Sequence, residues 1–375
     1  MRAAADDDAA MRWRSVRNLL AVRLDNIGDL LMTTPALNAV RNCLPEARIT
    51  LLTSPAGAAA AHHVPGIDAA IPFAAPWVTP RDDAPLAGEL GENELRMAIR
   101  LAEQRFDAAI IFTVCTQSAL PAALLCRLAG IPLRLAYSRE NPYELLTDWL
   151  PERDVIGDGM RHEVARQIDL VAAVGLFSGD PHLHFRYRIE NVRRLQELML
   201  LAGHDPVQPY FVVHPGASAP SRRYPAVHFG VAADIIARES GCTAIYTGSE
   251  NESVLVEEAR AVMGELSVSL AGHLDLGELA ALIAGAEVVV ANNTGPVHIA
   301  AAVNTPVVDL YALTNPQHTP WHVASQVLNH DVPCRWCLKS DCPEGHHDCL
   351  RKVEPERVAA AALELMGTGP GIPLQ

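Results

Sequence analysis

The sequence predicts an α/β protein built from two doubly wound parallel sheets. Short apolar runs alternate with helix-period segments from residue 19 to residue 138. A polar stretch at 177–208 interrupts the alternation, which then restarts and runs to residue 313. The length of 375 residues suits two such arrays, each with its own core.

The first array opens with the buried strand "LLAVRL" (19–24), a helix over 29–42 and the strand "RITLLT" (48–53). A βαβ unit this short is parallel and right-handed. "GIDAAIPF" (66–73) reads as a third strand, 79–93 as loop, "ELRMAIRLAEQR" (94–105) as a helix and "FDAAIIFT" (106–113) as a strand. The helix "SALPAALLCRLAG" stops at Gly130, and "PLRLAYS" (132–138) follows as a strand. Residues 160–176 form a strongly amphipathic helix. In the second array, "PYFVVHPG" is a strand running into a loop, followed by helix 225–240 and strand 242–248. Helices at 252–263 and 275–286, strand 287–293, helix 294–303 and strand 306–313 complete it. A last helix covers 355–366. The expected organisation is a flexible tail (1–15), a first domain (16–185), a junction (186–208), a second domain (209–330), a Cys-rich loop (331–352), and a terminal helix and tail (353–375).

The chain has 30 Lys and Arg against 44 Asp and Glu, a net charge of −14. That excludes a general nucleic-acid binder, which needs a basic face for phosphates. No uncharged run is long enough to span a membrane, and the first residues lack a secretory apolar region. The expected location is therefore the cytoplasm. The arginines of "MRWRSVR" (11–17) allow a peripheral contact with the anionic inner face of the inner membrane. No Walker A sequence is present and no G-x-G-x-x-G follows the first strand, which argues against P-loop and dinucleotide chemistry.

In doubly wound folds ligands bind beyond the carboxyl ends of the strands, so the residues just after strands are the candidates. After the first strand comes "RLDNIGDLLMTTPAL" (23–37). Asp29 at the start of the helix is either a helix-capping acid or a general base that takes a proton from an alcohol. Asp25 and Asn26 read as loop-shaping residues, and Gly28 as a place of close backbone approach. In "HPGASAPSRRYP" (214–225), His214 and Ser218 stand by a small-residue loop, and Arg222 and Arg223 supply always-charged forks for a diphosphate. "ANNTGPVHIAAA" (291–302) places Asn293, Thr294 and Gly295 at a helix N-terminus, a ready anion site, with His298 one turn in. Glu250 or Glu252 in "TGSENE" stands where an acid would accept from ribose hydroxyls. The spacing C-x2-C-x4-C-x6-C makes Cys334, Cys337, Cys342 and Cys349 candidate ligands of a structural zinc or iron, against the alternative of reduced loop cysteines.

With these residues in place, the chain resembles glycosyltransferase family 9, the heptosyltransferases of bacterial lipopolysaccharide assembly. The matching stretches are "IGDLLMTTPAL" (27–37), "RHEVARQIDLVAAVGL" (161–176), "VVHPGAS" with "RRYP" (212–225), and residues 279–308 around "ANNTGPVH". The resemblance implies a GT-B fold, two Rossmann-like domains facing across a cleft, with the terminal helix packed back onto the first domain. It implies that Asp29 is the catalytic base, that Arg223 contacts the donor phosphates, and that Thr294, Gly295 and His298 hold the diphosphate. The implied donor is ADP-heptose, the acceptor a glycan or lipid-linked glycan, and the reaction inverts the anomeric centre without a catalytic cofactor. Two positions depart from the better-known members: Asn293 stands in place of Asp, and Arg223 in place of Lys. The alternatives are a non-catalytic nucleotide-sugar-binding or scaffold protein, which Asn293 favours, and transfer onto a protein. The cysteine cluster points to the latter, because related heptosyltransferases that act on proteins carry a cysteine-bound metal.

Overall fold

The structure, a computed structural model, describes residues 2–78 and 90–368. It divides into one unit of Met1–Val155 with Glu163–His184, and a second of Ile156–His162 with Phe185–Gln375.

The first unit begins with α1 (Arg2–Arg14), β1 (Asn18–Arg23), α2 (Ile27–Cys43), β2 (Arg48–Thr53), α3 (Pro55–Ala61) and β3 (Ala69–Pro72). It continues through α4 (Glu92–Gln104), β4 (Ala108–Ile111), α5 (Leu120–Leu128), β5 (Leu133–Ser138), β6 (Asp148–Pro151) and α6 (Glu163–Ala172). Its six described strands are parallel, in the order β3-β2-β1-β4-β5-β6. The order reverses between β1 and β4, which is the switch point of a doubly wound sheet. β1 and β4 are buried almost throughout, as apolar strands covered on both faces must be.

The second unit runs through α7 (Ile189–Leu201), β7 (Tyr210–His214), α8 (Ala226–Ser240), β8 (Thr243–Tyr246), α9 (Ser253–Arg260), β9 (Ser267–Ser269) and α10 (Leu276–Ala284). β10 (Val289–Asn292), α11 (Gly295–Val303), β11 (Val307–Leu310), β12 (Ser325–Leu328), α12 (Asp348–Arg351) and α13 (Pro355–Thr368) complete it. The order β12-β11-β10-β7-β8-β9 repeats the same topology, with its switch between β7 and β10.

Several expectations need correction. The tail expected at 1–15 is the helix α1 over Arg2–Arg14. Trp13 and Val16 are wholly buried, and Arg12 Nη2 lies 3.0 Å from Asp148 Oδ1, so apolar burial and an ion pair anchor this segment to the first unit. The expected junction 186–208 contains α7, which packs on α10 inside the second unit. The terminal helix, expected on the first domain, belongs to the second unit and packs on its own core. Val358, Ala359 and Ala362 of α13 share the core of Phe229 and Ile236 on α8. The edge strands β6, β9 and β12 escape the sequence reading because "DWLP", "SVS" and "SQVL" carry no apolar run.

Pro35 lies well inside α2, where its missing N–H would leave the Leu31 carbonyl without a partner. Thr34 repairs the ladder: its hydroxyl donates to Leu31 O at 2.7 Å and accepts from His184 N at 2.9 Å.

Candidate active site

In the first unit the site is a buried charge cluster at the carboxyl end of β1. Arg23, the last residue of the strand, is fully buried and faces three carboxylates. Its Nη2 donates to Asp29 Oδ1 at 3.2 Å, and both Nη1 and Nη2 donate to Glu163 Oε1 at 3.1 Å. Its Nε lies 3.1 Å from Asp25 Oδ2, an ion pair without hydrogen-bond alignment. Burial works against the Arg23 charge, but Asp25, Glu163 and Asp29 together raise its pKa above the ordinary guanidinium value.

Asp29 fills the capping role expected of it. It occupies the third position of α2 and closes a capping box, accepting from Asn26 N through Oδ2 at 3.2 Å. Its Oδ1 is held by Arg23, and its side chain stays 14% exposed, so a small hydroxyl can reach it. Asp25 is more deeply placed. Burial pushes its carboxyl up to about 6; Arg23 opposes the shift, Asp29 adds to it, and Gln117 opposes by donating to Oδ1 at 2.6 Å. Gly28 lies in the first turn of α2, between Asn26 and Asp29.

The helix α6 completes the cluster. Glu163, Arg166 and Gln167 are buried at positions where an amphipathic helix ordinarily carries apolar residues. Arg166 Nε donates to Glu152 Oε2 at 2.7 Å, and its guanidinium stacks 4.5 Å from the Tyr137 ring. Gln167 Nε2 donates to Glu163 Oε1 at 2.6 Å. Sequence reasoning noticed this stretch and gave its polar residues no role. The legible signal was charge on the face that should be greasy.

Beside the cluster, between the ends of β1 and β4, lies a cavity of about 320 Å³. Apolar Phe112 and Trp77 line it together with Asp25, Thr113, Gln117 and Ser118. That size and mixture suits a small organic ligand such as a sugar.

In the second unit the loops after β7 and β10 meet at the switch point. His214 ends β7, and its Nδ1 sits 3.0 Å from Thr247 Oγ1. Burial lowers its pKa against the pull of Glu252, so the ring is neutral near pH 7. Glu252, rather than Glu250, reaches this loop: a Cβ added at Gly216 would lie 2.1 Å from Glu252 Oε1. Glu252 also caps its own turn, accepting from Ser249 N at 2.8 Å, while Glu250 is exposed. Ser218 is exposed on the loop. Arg223 is exposed, with its Nε donating to Ala217 O at 2.8 Å. Arg222 is half-buried and lines a small recess with Asn293, Tyr311, Thr314, Asn315 and His318.

Thr294 is the N-cap of α11, yet its side chain makes no cap bond and instead donates to Asn292 O at 3.2 Å. Pro296 carries no N–H and Val297 N donates to Thr294 O at 3.1 Å, so Gly295 supplies the backbone N–H that this helix start can offer an anion. Gly295 starts the helix and His298 is buried one turn in. Asn292, which sequence reasoning passed over, is fully buried and ties the loops together. Its Oδ1 accepts from Tyr224 N at 2.9 Å and its Nδ2 donates to Pro215 O at 2.8 Å.

The expected metal centre is not formed. Among the described residues no group of three or more His, Cys, Asp or Glu side chains is arranged to hold a metal ion. Cys334 Sγ lies 3.9 Å from His346 Nε2, while Cys349 packs against the apolar core shared by α8 and α13.

Comparison with known proteins fits this geometry. The family model of glycosyltransferase family 9 (heptosyltransferase) matches residues 95–347, more than half of the chain. Lipooligosaccharide heptosyltransferase 2 of Haemophilus influenzae is 28% identical over 295 residues, covering 75% of this chain and 82% of that protein. Lipopolysaccharide heptosyltransferase 2 of Escherichia coli is 26% identical over 346 residues, covering 88% of this chain and 93% of its own length. Among solved structures, the E. coli ADP-heptose lipopolysaccharide heptosyltransferase II superposes with a TM-score of 0.71 at 22% identity, covering 93% of this chain and 98% of that one. At that identity the superposition speaks for the fold.

Proposed function

The chain belongs to glycosyltransferase family 9, and from that premise we propose that it moves a heptosyl group from ADP-heptose to a hydroxyl of a lipopolysaccharide glycan. The names of the relatives supply the substrate class. The observation that carries the chemical step is Asp29, a carboxylate pinned by Arg23 and by a backbone N–H yet open at its surface. These contacts hold the carboxylate in place to receive a proton.

In this reading the acceptor hydroxyl transfers its proton to Asp29 as its oxygen bonds to the anomeric carbon. The bond from that carbon to the diphosphate oxygen breaks on the opposite face, so the centre inverts and ADP leaves with the electron pair. The Gly295 N–H at the start of α11, with the Thr294 hydroxyl, meets the charge growing on the diphosphate, and Arg222 and Arg223 add to it. His214, Ser218, Glu252 and His298 belong to the same donor half. No catalytic metal is assigned. The cavity beside Asp25 is assigned to the acceptor, and the reaction to the cytoplasm. No described helix is long and apolar enough to cross a membrane.

The test is ADP release from ADP-heptose in the presence of lipopolysaccharide-core acceptor, with calorimetric ADP binding alongside. Asp29→Asn should lower turnover by about 10²–10⁴-fold, the usual worth of a general base, with ADP affinity kept. A wild-type protein that binds neither ADP nor ADP-heptose would overturn the assignment.

A further inference from the structure

Behind the recess at the end of β10, in contact with Asn293, lies a buried acid that the mechanism above leaves idle. Asp309 sits in the middle of β11, paired in register with Ala291, and is wholly buried. Its Oδ2 accepts from Asn293 Nδ2 at 2.9 Å, and its Oδ1 takes no hydrogen bond. Burial raises its pKa well above the carboxylate range, and the bond from Asn293 opposes the shift. A buried carboxyl with one amide for company is costly to keep and calls for a role.

The role is visible on the other side of the bond. Asn293 Nδ2 also donates to His318 O at 2.8 Å. Both hydrogens of the amide are therefore spent on acceptors. An amide side chain can present either its oxygen or its nitrogen, and the network around it decides which. Here two acceptors hold the nitrogen inward, and the oxygen is left as the atom for a ligand. Asn293 directly precedes Thr294, the N-cap of α11, and shares its recess with Arg222 and Tyr311.

We propose that Asp309 is a positioning residue. It locks the Asn293 amide so that Asn293 Oδ1 accepts from a hydroxyl of the donor's sugar, beside the Gly295 N–H that meets the diphosphate. The sugar is thus read by a neutral acceptor whose orientation a hidden acid sets. This rests on the donor-site assignment above.

The experiment is calorimetric titration of the full-length protein with ADP and with ADP-heptose. Asp309→Ala should weaken ADP-heptose about tenfold, the worth of one lost hydrogen bond, and leave ADP within about twofold. Asp309→Asn, which keeps an acceptor oxygen opposite Asn293, should hold ADP-heptose affinity within about threefold of wild type. Asn293→Ala should match the Asp309→Ala loss, and combining the two should add little, because both remove one contact. Should Asp309→Ala not fold, the transposed pair decides. Asn293→Asp sets a carboxyl against Asp309 and against His318 O and loses ADP-heptose affinity, and adding Asp309→Asn should restore part of it, the His318 carbonyl staying unpaired. Equal weakening of ADP and ADP-heptose, no weakening of either, or no recovery in the transposed pair would overturn the role of Asp309. Absence of both nucleotides from the wild-type protein would overturn the donor-site assignment instead.

Discussion

The ends of the two sheets solve opposite problems with the same topology. At β1 the first unit buries charge: Arg23 and Arg166 stand among Asp25, Asp29, Glu152 and Glu163. At β7 and β10 the second unit buries mostly uncharged polar groups: the His214 ring, the Asn292 amide, and a helix start at Gly295 that the cap side chain leaves alone, with one acid, Asp309, behind them. Under the proposed function the difference divides the work: fixed charges hold the carboxylate that takes a proton, and mostly uncharged donors face the leaving diphosphate.

The comparison can be broken most severely at Arg23. Arg23→Met should cost about 3–5 kcal/mol, because it strands buried acids without their cation. Urea unfolding measures it, and a loss below about 1 kcal/mol would mean the first unit does not depend on its ion network. Asp29→Asn comes next, with its main loss in turnover. Its melting temperature should fall by only a few degrees, since the amide oxygen can still accept from Asn26 N while its NH2 faces Arg23.

Asp25 sharpens the contrast through pH. Its folded pKa is raised, from 3.8 to about 6, so the folded state binds the extra proton between those values. Stability therefore falls as pH rises from 4 to 6, and the penalty is complete above that window. Asp25→Asn removes the effect. Its stability relative to wild type should climb across the window by up to about 3 kcal/mol and then level off, at ~1.4 kcal/mol per pKa unit. Melting curves of both proteins from pH 4 to pH 8 would show it, and a flat difference would discard the buried-acid account.

The smallest effect is expected in the second unit. Asn292→Ala leaves Tyr224 N and Pro215 O without their partner and should cost about 2 kcal/mol. ADP affinity should fall with it, because Asn292 sets the spacing of the two loops. Unchanged ADP affinity would show that the cradle does not need this staple.

The alternation of elements was legible because β1, β2, β4 and β7 are apolar runs with little competing signal. Asp29 was legible from its place after a strand, and the α11 start from its small residues before a helix. Arg23 and Glu163 were not, since 140 residues separate them and each looks like an ordinary charged residue in its own segment. Asp309 hid in the same way, as one acid in a four-residue strand. The cysteine spacing misled because regular spacing does not by itself bring side chains together. Packing of Cys349 into the α13 core decided its place instead.

The first unit is not continuous in the chain, and this has a consequence for its synthesis. Arg23 and its two nearby acids emerge early, but Glu163 and the rest of α6 follow only after Val155 and the segment 156–162, which belongs to the second unit. Until then α2 lacks the helix that packs on it, and Arg23 lacks the glutamate that completes its fork. A nascent chain stopped at residue 155 would hold a sheet whose Arg23 lacks one of its three carboxylates, and an uncovered helix face. The ribosome must deliver about twenty further residues beyond that segment before the first half can close.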